Sequence, residues 1–168
     1  MASNPIALLL EGIHPTRSPR AWHGGPTPVG ALRGVSAGLA AWRPAPGRKS
    51  IWELALHVAY WDYAVRRQIT GGARASFPRS PANFPAMPAR PTEAAWKLDL
   101  ALVRAEHRQL VAACKTLSPR ALDRIPIEGK RWNYGDVVLG IVLHDTYHTG
   151  QIQLLKRLGA ARRARRKG

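Results

Sequence analysis

Two histidines, His144 and His148, stand four residues apart in LHDTYHTGQIQLLKRL, and a third, His57, lies in IWELALHVAYWDYAV. On a helix, residues i and i+4 share a face, so one metal ion can take a ring nitrogen from each of the pair. A second helix packed alongside brings His57 to the same point without any loop having to be placed. Three neutral imidazoles holding a divalent cation leave at least one coordination position open, the arrangement of a catalytic rather than a structural zinc site. Water or a thiol bound there loses its proton near neutral pH and becomes a nucleophile. Zinc, nickel and iron(II) all suit such a donor set. The competing reading makes each imidazole an ordinary core residue, hydrogen-bonded to a nearby carbonyl or hydroxyl, with Thr146 and Tyr147 at hand. Burying one unpaired costs about 1–3 kcal/mol. That reading suits a lone histidine; a pair in phase with a third suits the metal.

Other residues lie within reach of this chemistry by sequence. Gln151 follows His148 by one turn near the same stripe, so Gln151 and Tyr147 are candidates to receive the second N–H of a ligand histidine. Asp145 is a third such candidate, although it points elsewhere by helical phase, the competing reading being a solvated helix residue. His107 falls on the inner stripe of its own helix and reads first as a partly buried histidine, with a fourth ligand or a hydrogen-bond partner of a ligand as the alternatives. His14 and His23 sit in irregular segments with no helical spacing behind them. Cys114 reads as a small packing residue.

The elements that position these residues are helices. Ser50 and Glu53 form an S-x-x-E capping box, and the helix they open runs to about Thr70 before Gly71 and Gly72, with Leu54, His57, Val58, Trp61 and Val65 on one stripe. A second begins at Thr92 and carries Trp96, Leu100, Val103, His107, Leu110 and Cys114 inward, as far as Ser118 and Pro119. The last starts near Asn133, with Asp136 in its first turn, and presents Val137, Ile141, His144, His148, Ile152 and Leu155 before Gly159, expected to stop it. Ahead of these, a short helix is expected over Pro5–Ile13. A second piece is expected from Thr27 and Pro28 through Val29, Leu32, Val35 and Leu39, the two together taking the place of one long helix. Strand signals are nearly absent.

Between Gly71 and Pro91 lie 21 residues with five prolines, too long for an ordinary helix connection. A 20-residue helix is about 30 Å long and 21 extended residues reach about 70 Å, so this segment can return along the bundle and leave its flanking helices parallel. The expectation is an all-α, four-helix bundle with one long crossover between helices 2 and 3. Phe77, Phe84 and Met87 of the crossover would either wall a pocket or simply cover the bundle.

Composition bounds the rest. A chain of 168 residues with 45% hydrophobic content buries one core and is expected to form one domain. The absence of a long apolar run and of a basic segment ahead of the short one near the start gives the expectation of a soluble, cytoplasmic protein without a secretory signal. One cysteine allows no internal disulfide. The net charge of +16 invites nucleic acid as a partner, but residues 156–168 carry seven basic and no acidic side chains, leaving +9 for the remainder. No aromatic residues interleave the arginines as a base-stacking surface requires.

SIWELALHVAYW and LHDTYHTGQIQLLKR together resemble the DinB-like (DinB/YfiT) superfamily of metal-binding four-helix proteins; AWHGGP and the Trp-initiated third helix are similar to it more loosely. The resemblance covers about residues 5–158. It implies a down-up-up-down bundle as domain 1–158 and a divalent metal held by His57, His144 and His148; the basic tail over 159–168 lies outside the resemblance and is expected to be disordered from its composition. It further implies a small-molecule substrate. Members include thiol transferases and isomerases that use bacillithiol, mycothiol or glutathione, so the function implied is attack of a metal-activated thiol or water on a small electrophile. Related bundles pair as homodimers. The alternatives are a stress-associated metal-binding bundle without turnover, and a basic interaction protein that meets nucleic acid through its arginine-rich tail.

Overall fold

The computed structural model describes residues 4–16, 24–72, 76–126 and 131–165. Three long helices dominate: α4 (Ile51–Thr70), α5 (Glu93–Lys115) and α6 (Tyr134–Arg165), preceded by the short helices α1 (Pro5–Leu10), α2 (Pro28–Ala31) and α3 (Ala37–Ala41). Among the described residues there is no strand, and no helix is long and apolar enough to cross a membrane.

Caps written into the sequence start each long helix. Ser50 Oγ accepts from the Glu53 N–H (3.2 Å) while Glu53 Oε2 accepts from the Ser50 N–H (3.0 Å), and Arg43 and Lys49 close on the same carboxylate at 2.9 and 3.1 Å. Thr92 Oγ1 accepts from the Ala95 N–H (3.2 Å) to open α5. Asn133 and Asp136 exchange side-chain bonds to each other's N–H at the start of α6, 2.7 and 3.2 Å.

Helices α4 and α5 run parallel, since Trp52 Nε1 donates to Asp99 at one end (2.7 Å) and Arg66 meets Glu106 nearer the other (3.0 Å). Helix α6 runs the other way, placing Val138 and Ile141 with Val65 and Ile69, and Ile152 and Leu155 with Leu54 and Ala55. The crossover makes the parallel pairing reachable, and it is pinned: Arg79 Nε and Nη2 hold Asp99 Oδ1 at 2.8 and 2.7 Å.

The first position of the bundle departs from expectation. Thr27 caps Pro28 as read from sequence, but the helix breaks at Gly34 (φ +72°) and restarts at Ser36. The break exposes backbone groups that a continuous helix would satisfy internally. Side chains of the long helices take them up. Trp96 Nε1 donates to Val35 O (2.7 Å), Glu93 Oε1 accepts from the Ala37 N–H (2.8 Å), and Lys156 Nζ donates to Ala31 O and Arg33 O (2.8 and 3.0 Å). Helix α1 packs with the end of the bundle that holds Leu110 and Val138, and α2 and α3 with the end that holds Trp52 and Trp96. The short pieces therefore travel the length that one helix was expected to cover.

A second departure concerns the C-terminus. Gly159 does not end α6, which continues to Arg165. Its lack of a side chain serves packing: a Cβ there would collide with Leu39 Cδ1 and lie 3.4 Å from the Trp42 ring, against which Arg162 stacks at 5.5 Å. The basic segment after Leu158 is thus helical as far as Arg165 rather than disordered.

Between the two apolar clusters lies a layer of polar side chains on the three long helices, including His57, Asp62, His107, Asp145 and His148, all buried. The site is built from this layer.

Candidate metal centre

His57 sits two turns into α4, and His144 and His148 occupy successive turns of α6, which the antiparallel pairing sets opposite. The three rings converge, with centroids 4.5 to 4.9 Å apart, and one ligand atom from each lies within 4.8 Å of the others.

What each Nδ1 does decides what each Nε2 can do. His57 Nδ1–H donates to Asn83 O (2.5 Å), His148 Nδ1–H to Gln151 Oε1 (2.7 Å), and His144 Nδ1 lies 3.2 Å from Asp145 Oδ1. The carbonyl and amide oxygens assign the ring protons of His57 and His148 to Nδ1 and leave their Nε2 lone pairs bare. His57 Nε2 and His144 Nε2 are 3.0 Å apart. That contact is either a proton on His144 Nε2 shared with His57 or a cation between two lone pairs. Nitrogens each about 2.1 Å from one ion and separated by 90–109° lie about 3.0–3.4 Å apart, so the spacing fits a shared cation. Carboxylate, carbonyl and amide partners on the far nitrogen are also what ligand histidines commonly have.

The electrostatics favour neutral ligands. Burial first, then the neighbouring His148 and His57, holds the His144 imidazolium down to about 3. Burial likewise lowers His57, partly offset by the Asn83 carbonyl, and lowers His148, partly offset by Gln151. All three rings are therefore neutral at pH 7. The same shifts predict how the metal-free protein responds to acid. In the unfolded chain these rings titrate near 6.5, and in the fold they titrate below that. As pH falls through 6.5 the unfolded state therefore binds protons that the folded state refuses, and stability drops until the folded rings also protonate. Asp145, raised by burial and by the Asp62 carboxylate beside it, works in the opposite sense, one proton against three. Urea midpoints measured without metal should be flat above pH 7 and fall steadily from about pH 6.5 toward 4; a flat profile would mean the rings are not held neutral by the fold.

Of the remaining residues weighed from sequence, Gln151 reaches the site through His148. Tyr147 is exposed and meets the His148 ring edge-on at 5.0 Å. Thr146 Oγ1 donates to its own helix at Val142 O. Phe84 lies flat on the His57 ring, centroids 3.8 Å apart, whereas Phe77 packs on Tyr60 and Tyr63, and Met87 accepts a bond from Ser50 Oγ. Cys114 is buried with its thiol pushed up to about 12 by burial and then by Asp62, as suits a packing residue. His14 lies near His107, not near the triad, and His23 lies outside the described residues.

Of the two readings of Asp145, the solvated one fails: the residue is fully buried, and its Oδ1 lies against the His144 ring. Two further residues escaped sequence reasoning. Asp62 stands at the helical step of Val58 and Val65, and a carboxylate in apolar phase was the available signal. Asn83 sits in the left-handed region (φ +69°), which asparagine tolerates better than most residues, and its carbonyl and side chain hold His57 and Trp61 together.

The described groove nearest the triad has a volume of about 460 Å³ and is lined by Trp61, Val65, Trp132, Leu143 and His144 among others. His144 is also the ligand side chain with access, at 24% exposure, while His57 and His148 are closed in as residues at 5% and 7%.

Searches of curated proteins and of solved structures returned no match. A family model described as the DinB superfamily matches residues 29–152, a stretch that includes α4, α5, the crossover and all three histidines. With well over half of its length matched and its fold helical throughout the described residues, the chain belongs to the DinB superfamily.

Proposed function

We propose that His57, His144 and His148 hold a divalent cation whose open position faces the Trp61–Trp132 groove, and that this centre serves a transfer or hydrolysis reaction on a small, largely apolar electrophile. The observation that carries the reading is the double placement of His144: its Nε2 converges with those of the other two rings, and its side chain lines the groove. When bound, the ion supplies a lowered pKa for a thiol or water at its open position.

The chain's own residues divide the remaining work. Asn83 and Gln151 orient His57 and His148 through their Nδ1 protons, so the rings cannot turn away. Phe84 covers one face of His57 and shields that side from water. Trp61, Val65, Trp132 and Leu143 offer apolar surface that binds the non-reacting part of a substrate and excludes solvent. The polar residues on the groove besides His144 are Gln68 and Asp136, and Asp136 is engaged with Asn133 at the start of α6.

The test is thiol consumption by zinc- or nickel-loaded protein with 1-chloro-2,4-dinitrobenzene as electrophile and glutathione, bacillithiol or mycothiol as donor. The reading expects turnover with at least one thiol that exceeds the same concentration of free metal and disappears in His148→Ala. Rates no greater than those of the variant with every donor, and with water alone on activated esters, would leave a metal-binding bundle without turnover.

A further inference from the structure

Asp62 from α4, His107 from α5 and Asp145 from α6 meet inside the polar layer, at 0%, 6% and 0% exposure. Both oxygens of Asp62, Oδ2 of Asp145 and Nδ1 of His107 have no hydrogen-bond partner among the described residues. Polar atoms so deeply buried are ordinarily satisfied. Nor is either carboxylate paired with an arginine or lysine there; the nearby Arg66 is committed to Glu106 at 3.0 Å.

The spacing suits a shared ion. His107 Nδ1 lies 3.6 Å from Asp62 Oδ2, beyond a sound hydrogen bond. Ligands about 2.1 Å from one ion in a tetrahedral arrangement lie about 3.4 Å apart. One donor atom from each of the three residues falls within 4.8 Å of the others, the same closeness as in the histidine triad. With both carboxyls ionised, the two oxygens of Asp62, Oδ2 of Asp145 and Nδ1 of His107, brought together from three helices, form a preorganised cation cage; without an ion, a proton shared between Asp62 and Asp145 takes its place.

We propose that Asp62, His107 and Asp145 form a second divalent-cation site, distinct from the triad. The donor set carries more oxygen than the triad's and suits zinc, manganese or iron(II). Thr149, whose buried Oγ1 also has no hydrogen-bond partner, lies one turn beyond Asp145 and can add a neutral oxygen. Asp145 joins the two sites: its Oδ1 faces His144 Nδ1 at 3.2 Å, while its Oδ2 is the oxygen left without a hydrogen-bond partner. A cation on that oxygen fixes the carboxylate that orients His144. The second site uses none of the three triad ligands and stands or falls independently of them.

The experiment is equilibrium dialysis against zinc with metal analysis, on the full chain and on three variants: Asp62→Asn, His107→Gln, and the double variant His144→Ala, His148→Ala. The proposal expects two equivalents per chain in the unaltered protein and one in each variant. The equivalent retained by Asp62→Asn and His107→Gln reports that the triad, and hence the fold, is intact. His107→Gln stands in should Asp62→Asn fail to fold. One equivalent in the unaltered protein, kept by both single variants and lost from the double variant, overturns the second site and leaves the triad standing. One equivalent that survives in the double variant but is lost from His107→Gln supports the second site and removes the triad.

Discussion

Replacing His148 with alanine is expected to weaken zinc binding by more than the roughly 10–100-fold that loss of a ligand's hydrogen-bond partner costs, whereas Gln151→Ala should fall within that range. The order follows from the roles of the two side chains. His148 brings a ring nitrogen within 4.8 Å of those of His57 and His144, and its neighbours on that turn of α6 do not replace it: Tyr147 is exposed, and Thr149 Oγ1 is buried one turn beyond Asp145. Gln151 acts only on Nδ1, at 2.7 Å, so its loss frees the ring to tilt but leaves the donor atom in place. Competition with a chromophoric chelator at pH 7 measures both. Equal losses in the two variants would mean that the His148 imidazole is a packing residue and that its contact with Gln151 is the whole of its role.

The second large effect is on stability. Asp99→Ala is expected to cost about 3 kcal/mol or more, a large share of the roughly 5–15 kcal/mol that keeps a domain folded. Asp99 is 2% exposed and ties three elements together, accepting from Trp52 Nε1 of α4 at 2.7 Å and from Arg79 of the crossover at 2.7 and 2.8 Å. Truncation leaves the indole N–H of Trp52, itself fully buried, without an acceptor, strips Arg79 of its anchor and opens a void beside the Trp52–Trp96 pair, whose rings lie 4.9 Å apart. Asp99→Asn keeps an oxygen for Trp52 but turns its NH2 toward Arg79, giving up the charge and the hydrogen bonds to that partly exposed side chain, so it should cost about 1–2 kcal/mol. Urea unfolding of the two variants reads the difference. Near-equal losses would show that the ion pair, not the buried indole bond, holds the crossover. Because the crossover also carries Asn83, the alanine variant should loosen His57 as well.

Much of this organisation was legible because it is local. Capping residues Ser50, Thr92 and Asn133, the three- and four-residue apolar steps of the long helices, and the five prolines of the crossover each express backbone chemistry within a few residues. The i,i+4 spacing of His144 and His148 is local in the same sense, and only the antiparallel register of α4 and α6 was needed to bring in His57. What could not be read is what depends on that register. Asp145 looked solvated because its stripe was drawn through the apolar residues and the two ligand histidines, whereas the packed helix buries a wider face that takes in Val138, Val142 and Thr149. Asp62 was passed over for the same reason, and with it the pairing of the two carboxylates. Asn83 depends on a single left-handed residue in an irregular segment, which no periodicity reveals. Gly34 and Gly159 show the ambiguity of glycine: the first breaks a helix expected to continue, and the second lets a helix continue past a neighbour where it was expected to stop.

The central claim is that three Nε2 atoms on two helices share one cation. Anomalous diffraction at the zinc edge, on crystals of the full chain grown with zinc, tests it most directly. The account predicts a peak about 2.0–2.1 Å from Nε2 of His57, His144 and His148, with each Nδ1 still facing Asn83, Asp145 or Gln151. A fully loaded crystal with no peak between those rings, or with the metal on an Nδ1 atom, would contradict it.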